Sequence, residues 1–244
     1  MDLPDYKGLE RCRRRYIKRI LRILLEEGGE LRFSDFQAEL GLSASEKSTL
    51  HNNLDSLRSL GFVTGDKRGP IRLKWRTPLC FIAGTPNIPY AYLGLLGVKD
   101  EREVSETETA VRILESSGIA FERIVVVTTQ EAVGSWSNSM DPELASKIEW
   151  HTLRREELNR IESVRDKVKP KLLELMREFN VVMDCTSGTR PAGIAFYNLA
   201  IQHMVPLIYV YEPEKELIWL ISREDLERDL RYLFKSEPTR ASPS

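Results

Sequence analysis

The sequence predicts an α/β chain in two parts: a small helical module closed by a hairpin, then a larger, mainly parallel sheet layered with helices. Three observations carry this. At 244 residues and 41% hydrophobic, the chain sits where one core gives way to two. Residues 1–76 hold 16 Lys and Arg against 11 Asp and Glu, a charge of +5, whereas the remainder holds 20 against 26, a charge of −6. Beyond that point, apolar runs of strand length alternate with helix-length segments, the pattern of a sheet covered on both faces.

In the first part, Ile17, Ile20, Leu21, Leu24 and Leu25 recur at helical spacing among Arg11, Arg13, Arg14, Arg15, Lys18, Arg19 and Arg22. This predicts one long basic amphipathic helix from Leu9 to Leu25, ended by Gly28-Gly29. Ser34 is the expected N-cap of a short helix closed by Gly41. A third helix follows from Ser43 to about Leu60, with Leu50, Leu54, Leu57 and Leu60 on its buried side. Phe62–Thr64 and Ile71–Trp75, joined by a turn carrying Asp66, Lys67 and Arg68, then read as a hairpin. Three helices and a basic-tipped hairpin describe a winged helix-turn-helix over 1–77.

In that fold the third helix enters the major groove and the wing touches phosphates. Ser45, Lys47, Ser48, Thr49, His51 and Asn52 are therefore the candidate DNA-facing residues, with Lys67 and Arg68 on the wing. Asn52 suits an adenine edge, and the cations suit phosphates. Winged helices also recruit protein partners, and that alternative stays open.

In the second part, 78–244, Leu79–Ala83 reads as a buried strand opening into a Gly84-Thr85-Pro86-Asn87 loop. A helix is expected over Glu106–Ser116, a strand over Arg123–Thr128, a helix start at Pro142-Glu143-Leu144-Ala145 with Ile148-Glu149-Trp150 leading into a strand, and a long helix over Arg155–Phe179 with a bend at Pro170. Val181–Asp184 and Leu207–Val210 are further strands, separated by a helix over Ile194–His203. Leu217–Ile221 completes a hairpin, and a last helix covers Arg223–Phe234.

Val181 to Pro191 carries most of the chemistry: a buried strand runs into the hydroxyl-rich glycine turn Thr186-Ser187-Gly188-Thr189, and Arg190-Pro191 opens a helix. Such a turn aims backbone N–H groups and a helix N-terminus at an anion, and Arg190 adds a fork suited to phosphate. The spacing is not that of a Walker loop, and no GxGxxG follows the first strand. Ligands of open α/β sheets lie outside the carboxyl ends of the strands, so Gly84–Pro89 is the expected second wall.

Cys12, Cys80 and Cys185 and the three histidines, His51, His151 and His203, lack metal-ligand spacing, so no metal or cofactor is expected. No signal peptide or membrane span is visible, which points to a soluble cytoplasmic protein.

The segment Asp184-Cys185-Thr186-Ser187-Gly188-Thr189-Arg190-Pro191 resembles the D-x-T-G-G-T-K-P signature of the CRISPR-associated Rossmann fold (CARF) domain. Two positions depart from it: Ser187 stands where glycine is usual and Arg190 where lysine is usual. The resemblance implies a Rossmann-like homodimer that holds a cyclic oligoadenylate, often the tetra-adenylate, on its two-fold axis. Gly84, Thr85, Pro86, Asn87, Thr186, Ser187, Gly188, Thr189 and Arg190 would line it. Joined to a winged helix, such a domain implies a ligand-responsive transcriptional regulator of a CRISPR antiviral defence system. The alternative is a ring nuclease that cleaves the ring slowly and without metal through a ribose 2′-hydroxyl, with Arg190, Ser187 and Thr85 as catalytic candidates.

Overall fold

The computed structural model describes residues 3–66, 69–211 and 213–234. Contacts divide the chain into two compact units, one running up to Lys74 and taking in the chain from Arg223, the other Trp75–Ser222.

The first unit opens with α1 (Tyr6–Arg11) and α2 (Ile17–Glu26), where one continuous helix was expected. In an unbroken helix Arg13 would share a face with Leu9 and Ile17, both fully buried. An unpaired guanidinium on that face is costly, so the chain leaves the helix at Cys12, whose ψ of 117° is extended, and Arg13, Arg14 and Arg15 stay exposed. Next come β1 (Glu30–Arg32), which the sequence reading missed, and α3 (Phe33–Glu39). Arg32, not Ser34, occupies the N-cap of α3, and the Ser34 hydroxyl donates to Asp35 instead. A single 3-10 turn (Ala44–Glu46), held by a reciprocal Ser43–Glu46 capping box, leads into α4 (Lys47–Ser59). Leu50, Leu54 and Leu57 on α4 are buried as expected. β2 (Val63–Thr64) and β3 (Pro70–Leu73) complete a three-stranded antiparallel sheet, ordered β1-β3-β2.

The second unit begins with a correction. Leu79–Ala83 is a helix, α5, closed by Gly84 at φ 62°. A five-residue apolar run has no readable period when every neighbour covers it, and Leu79 to Ile82 are all buried. The first strand of the sheet is instead β4 (Tyr90–Leu95), whose apolar run is interrupted in sequence by Gly94 and followed by Gly97. α6 (Glu106–Ser116), capped by Ser105, and β5 (Phe121–Thr128) follow as expected. α7 (Gln130–Trp136) was not anticipated; α8 (Pro142–Lys147) leads into β6 (Ile148–Thr152). The expected long helix divides into α9 (Arg155–Leu158) and α10 (Ile161–Glu178). β7 (Asn180–Asp184), α11 (Arg190–His203), β8 (Leu207–Tyr211) and β9 (Glu216–Ile221) close the unit. The final helix is likewise split, into α12 (Arg223–Asp229) and α13 (Arg231–Phe234), and both group with the first unit.

The larger sheet has six strands in the order β6-β5-β4-β7-β8-β9. Five are parallel, and β9 pairs antiparallel with β8. β7 is buried along its whole length, as are Ala91–Leu95 of β4 and Ile124–Thr128 of β5, which requires cover on both faces. β9 alternates exposed and half-buried residues, as an edge strand with one wet face does. This is a Rossmann-like arrangement, and its strand order reverses between β4 and β7. No described helix is long and apolar enough to cross a membrane.

Candidate functional site

At a topological switch point the loops leaving two neighbouring strands diverge and open a crevice between them. Here those loops are Leu96–Ser105 after β4 and Cys185–Thr189 after β7. They are joined directly, the Gly97 N–H donating to Ser187 Oγ at 2.9 Å.

The β7 loop is built around Asp184, the last residue of the strand and fully buried. Its carboxylate accepts from Tyr92 Oη at 2.5 Å, from the Thr186 N–H at 2.7 Å and from the Thr186 hydroxyl. Burial pushes the carboxyl up to about 6, against the lowering effect of those donors. Thr186 Oγ1 also accepts the Val210 N–H at 2.8 Å, so this hydroxyl ties the loop to β8. Thr189 caps α11 by accepting the Ala192 N–H and donates to the Leu158 carbonyl at 2.7 Å. Gly188, at φ 85°, lies under Leu95, and a Cβ on Gly188 would stand 3.3 Å from that of Leu95.

Part of this loop remains uncommitted. The backbone N–H groups of Ser187, Gly188, Thr189 and Arg190 have no acceptor among the described residues. Arg190 is exposed, and its guanidinium has no partner there either. Four free N–H groups in succession, the start of a 14-residue helix and a free arginine make a cradle for an anion.

The opposite wall is not Gly84–Asn87. Gly84 and Thr85 close the C-terminus of α5 and Asn87 precedes β4, while the Asn180 N–H at the start of β7 bonds to Pro89 O. These residues lie at the amino end of the sheet, about 15–20 Å of strand away from the Thr186–Arg190 loop. A helix C-terminus also presents carbonyls, which repel phosphate. The structure thus brings Thr186, Ser187, Gly188, Thr189 and Arg190 together and separates Gly84, Thr85, Pro86 and Asn87 from them.

The loop joined to Ser187 is the one that begins at Gly97, which the sequence did not reveal because the first strand was expected too early. This loop is tightly held: Thr128 Oγ1 donates to Leu96 O, Trp136 Nε1 to Gly97 O, and the Lys99 N–H to Ser135 Oγ, at 2.6–3.0 Å. Lys99 Nζ donates to Ser139 and lies 5.4 Å from the centre of the Trp136 ring. Beyond it, the Arg102 side chain and N–H hold the Asp100 carboxyl down to about 2. A glycine followed two residues later by lysine, after an apolar run, was the available signal.

In the first unit, Lys47, Ser48 and Asn52 are exposed along one side of α4, with Thr49 half-buried. Ser45 lies in the 3-10 turn and shares a hydrogen bond with Ser43. His51 packs against Phe33, ring centres 4.8 Å apart. Lys67 and Arg68 lie outside the described residues.

No protein-family model matches the chain, and no curated protein matches it either. Among solved structures it is similar to Enterococcus italicus Csm6 bound to cyclic hexa-2′-fluoro-hexa-dAMP, at 15% identity and a TM-score of 0.41 over 63% of this chain and 39% of that one. It is also similar to Can2 from Sulfobacillus thermosulfidooxidans in complex with cyclic tetra-adenylate, at 13% identity and 0.37 over 55% and 36%. A third likeness is to protein VC1899 from Vibrio cholerae, at 12% identity and 0.38 over 55% and 34%. The chain thus aligns with little more than a third of each structure's length, and at these scores the likeness carries no argument about what it binds.

Proposed function

We propose that the chain is a CARF-type regulator. In this reading residues 78–244 bind a cyclic oligoadenylate, the tetra-adenylate foremost, and residues 1–77 form a winged helix-turn-helix that binds double-stranded DNA. The observation that carries it is the set of N–H groups from Ser187 to Arg190 without an acceptor among the described residues, with the exposed Arg190 guanidinium, at the switch point of a parallel sheet. Phosphodiesters suit that cradle, and the signature resemblance names the ring. For the DNA reading, support comes from the polar, exposed Lys47, Ser48 and Asn52 on α4 beside a small antiparallel sheet.

The reading requires a homodimer, since one loop spans only part of a ring. α11 offers a face for it. Apart from Arg190 and His203 the helix carries no ionisable group but Tyr197, and while Ala192, Ala195, Phe196 and Leu199 are buried, Ile194, Tyr197 and Ile201 on the other side are 50%, 44% and 54% exposed. The exposed polar residues Asn198 and Gln202 border this apolar stripe. That stripe starts one turn from Arg190, so a two-fold contact along it would set two loops side by side. Ligand would then shift the dimer between two arrangements through different affinities for each.

Slow ring cleavage has less support. Thr85 lies at the wrong end of the sheet, Ser187 Oγ is engaged by Gly97, and Asp184, the carboxylate of the β7 loop, is buried beneath it. The test is to incubate the purified protein with labelled cyclic tetra-adenylate, resolve bound ligand from products, and measure sedimentation mass. Stoichiometric binding of intact ring by a dimer is expected; no binding, or a single-chain mass with ligand bound, defeats the reading.

A further inference from the structure

The break between α1 and α2 has a product: Arg11, Arg13, Arg14 and Arg15 form an exposed elbow of four arginines within five residues. Several other arginines of this chain are held by a neighbouring acid. Arg58 pairs with Asp55, Arg72 with Glu30, Arg102 with Asp100, Arg112 with Glu108, Arg154 with Glu157 and Arg228 with Asp225. None of the four elbow arginines has an ion pair among the described residues, and only Arg15 has a side-chain contact, stacking over its neighbour Tyr16. Uncompensated like charges this close repel one another and raise the potential for an incoming polyanion.

The elbow also has a defined position. Arg11 and Arg14 line a groove of about 480 Å³ whose other wall is α4, through Asn52, Ser56 and Ser59. Asp55 is the one acid in that groove, and Arg58 already holds it at 2.5 Å. At the other end of α4, Glu46 is kept below the ordinary carboxylate range by the Ser43 N–H and hydroxyl, with a smaller contribution from the charge of Arg15. The arginines therefore run alongside α4, where Ser56 and Ser59 spend their hydroxyl protons on backbone carbonyls and the Asn52 amide is left to donate to sugar or phosphate oxygens.

We propose that the Arg11–Arg15 elbow is a second DNA-contacting element, which grips backbone phosphates of the duplex while α4 occupies the major groove. This rests on the DNA reading above and adds residues that the helix-and-wing pattern does not include. It also explains why the chain gives up a continuous helix: the break keeps Arg13 on the surface and gathers the charge beside α4.

The test is the salt dependence of binding between the full chain and a mixed-sequence DNA duplex, over about 50–200 mM salt. Each lost phosphate contact lowers the slope of log K against log salt by about 0.9, so replacing all four arginines by glutamine should flatten it by about 3 to 4 and weaken binding more than tenfold. The four lysine replacements should keep the slope, since charge is retained, and the exposed positions should leave the melting temperature unchanged. An unaltered slope in the glutamine variant, with Lys47→Gln still reducing it, would overturn the elbow and leave the DNA reading standing. Equal loss in the lysine and glutamine variants would also overturn it, as a structural effect. Absence of duplex binding by the wild type at the lowest salt would remove both.

Discussion

The Gly97 N–H and Ser187 Oγ, 2.9 Å apart, join two loops that are 90 residues apart in sequence. Ser187 is 8% exposed, so this bond lies in poor competition with water and fixes the width of the crevice between β4 and β7.

Ser187→Ala leaves the Gly97 N–H without that acceptor. A partly buried unsatisfied donor costs about 1–3 kcal/mol, and for a chain of this size each kcal/mol lowers the melting temperature by about 2–4 °C. Thermal denaturation should show that drop, and anion affinity should fall with it as the two walls loosen. An unchanged melting temperature would mean that the bond does not organise the crevice.

Gly94 marks a close approach within β4. A Cβ there would stand 2.5 Å from Tyr92 Oη, the group that holds Asp184. Gly94→Ala should therefore destabilise by about 1–3 kcal/mol through overpacking. Tyr92→Leu on the same chain should recover part of that loss, because the colliding ring is gone, so the double variant will be more stable than the sum of the two singles implies. Strict additivity in denaturant titrations would show that the collision is relieved elsewhere.

The same pair of residues shows what was legible in the sequence. Val181–Asp184 and Arg123–Thr128 announce themselves because β-branched runs of strand length bounded by turns have few other readings. β4 did not, since Gly94 and Gly97 look like loop residues until the Tyr92 ring is seen lying over Gly94. Misplacing that strand put the expected second wall at Gly84–Pro89, at the opposite end of the sheet from the β7 loop. The strand, turn and helix around the β7 loop were legible because the sequence encodes them locally: Asp184 folds back on Thr186, and Thr189 caps the helix that Pro191 enters. The helix break at Cys12 was legible in principle, since carrying the apolar register from Ile17 back to Leu9 puts Arg13 on the buried face.

Asp184 and His203 give stability opposite dependences on pH. Burial raises the Asp184 carboxyl from 3.8 to about 6, so between these values the folded protein keeps a proton that the unfolded chain has released. Its contribution is complete below about 4 and is lost as pH rises through 6. Burial, with a smaller effect of Lys169, lowers His203 from 6.5 to about 4, so its contribution is complete above 6.5 and is lost as pH falls toward 4. The two oppose each other between about 4 and 6. Relative to wild type, Asp184→Asn should lose stability as pH falls from 6 to 4.5, and His203→Leu should gain it. Calorimetric curves of both variants that run parallel to wild type would refute this assignment.

Arg190→Ala should sharply reduce affinity for cyclic tetra-adenylate and leave the fold intact. The guanidinium is exposed and makes no hydrogen bond or ion pair among the described residues, so its loss removes no internal contact and should change stability by less than about 0.5 kcal/mol. A hydrogen bond from a charged group to phosphate contributes about 1.5–3 kcal/mol, and a dimer presents the residue twice to one ligand. Affinity should therefore fall at least tenfold in calorimetric titration, while Arg190→Lys, which keeps charge but loses the fork, should fall less. Thr85→Ala is the matched control: the residue is 6% exposed and lies at the far end of the sheet, so it should leave ring affinity unchanged. Wild-type affinity in Arg190→Ala together with a loss in Thr85→Ala would move the ligand to the amino end of the sheet and overturn the site described above.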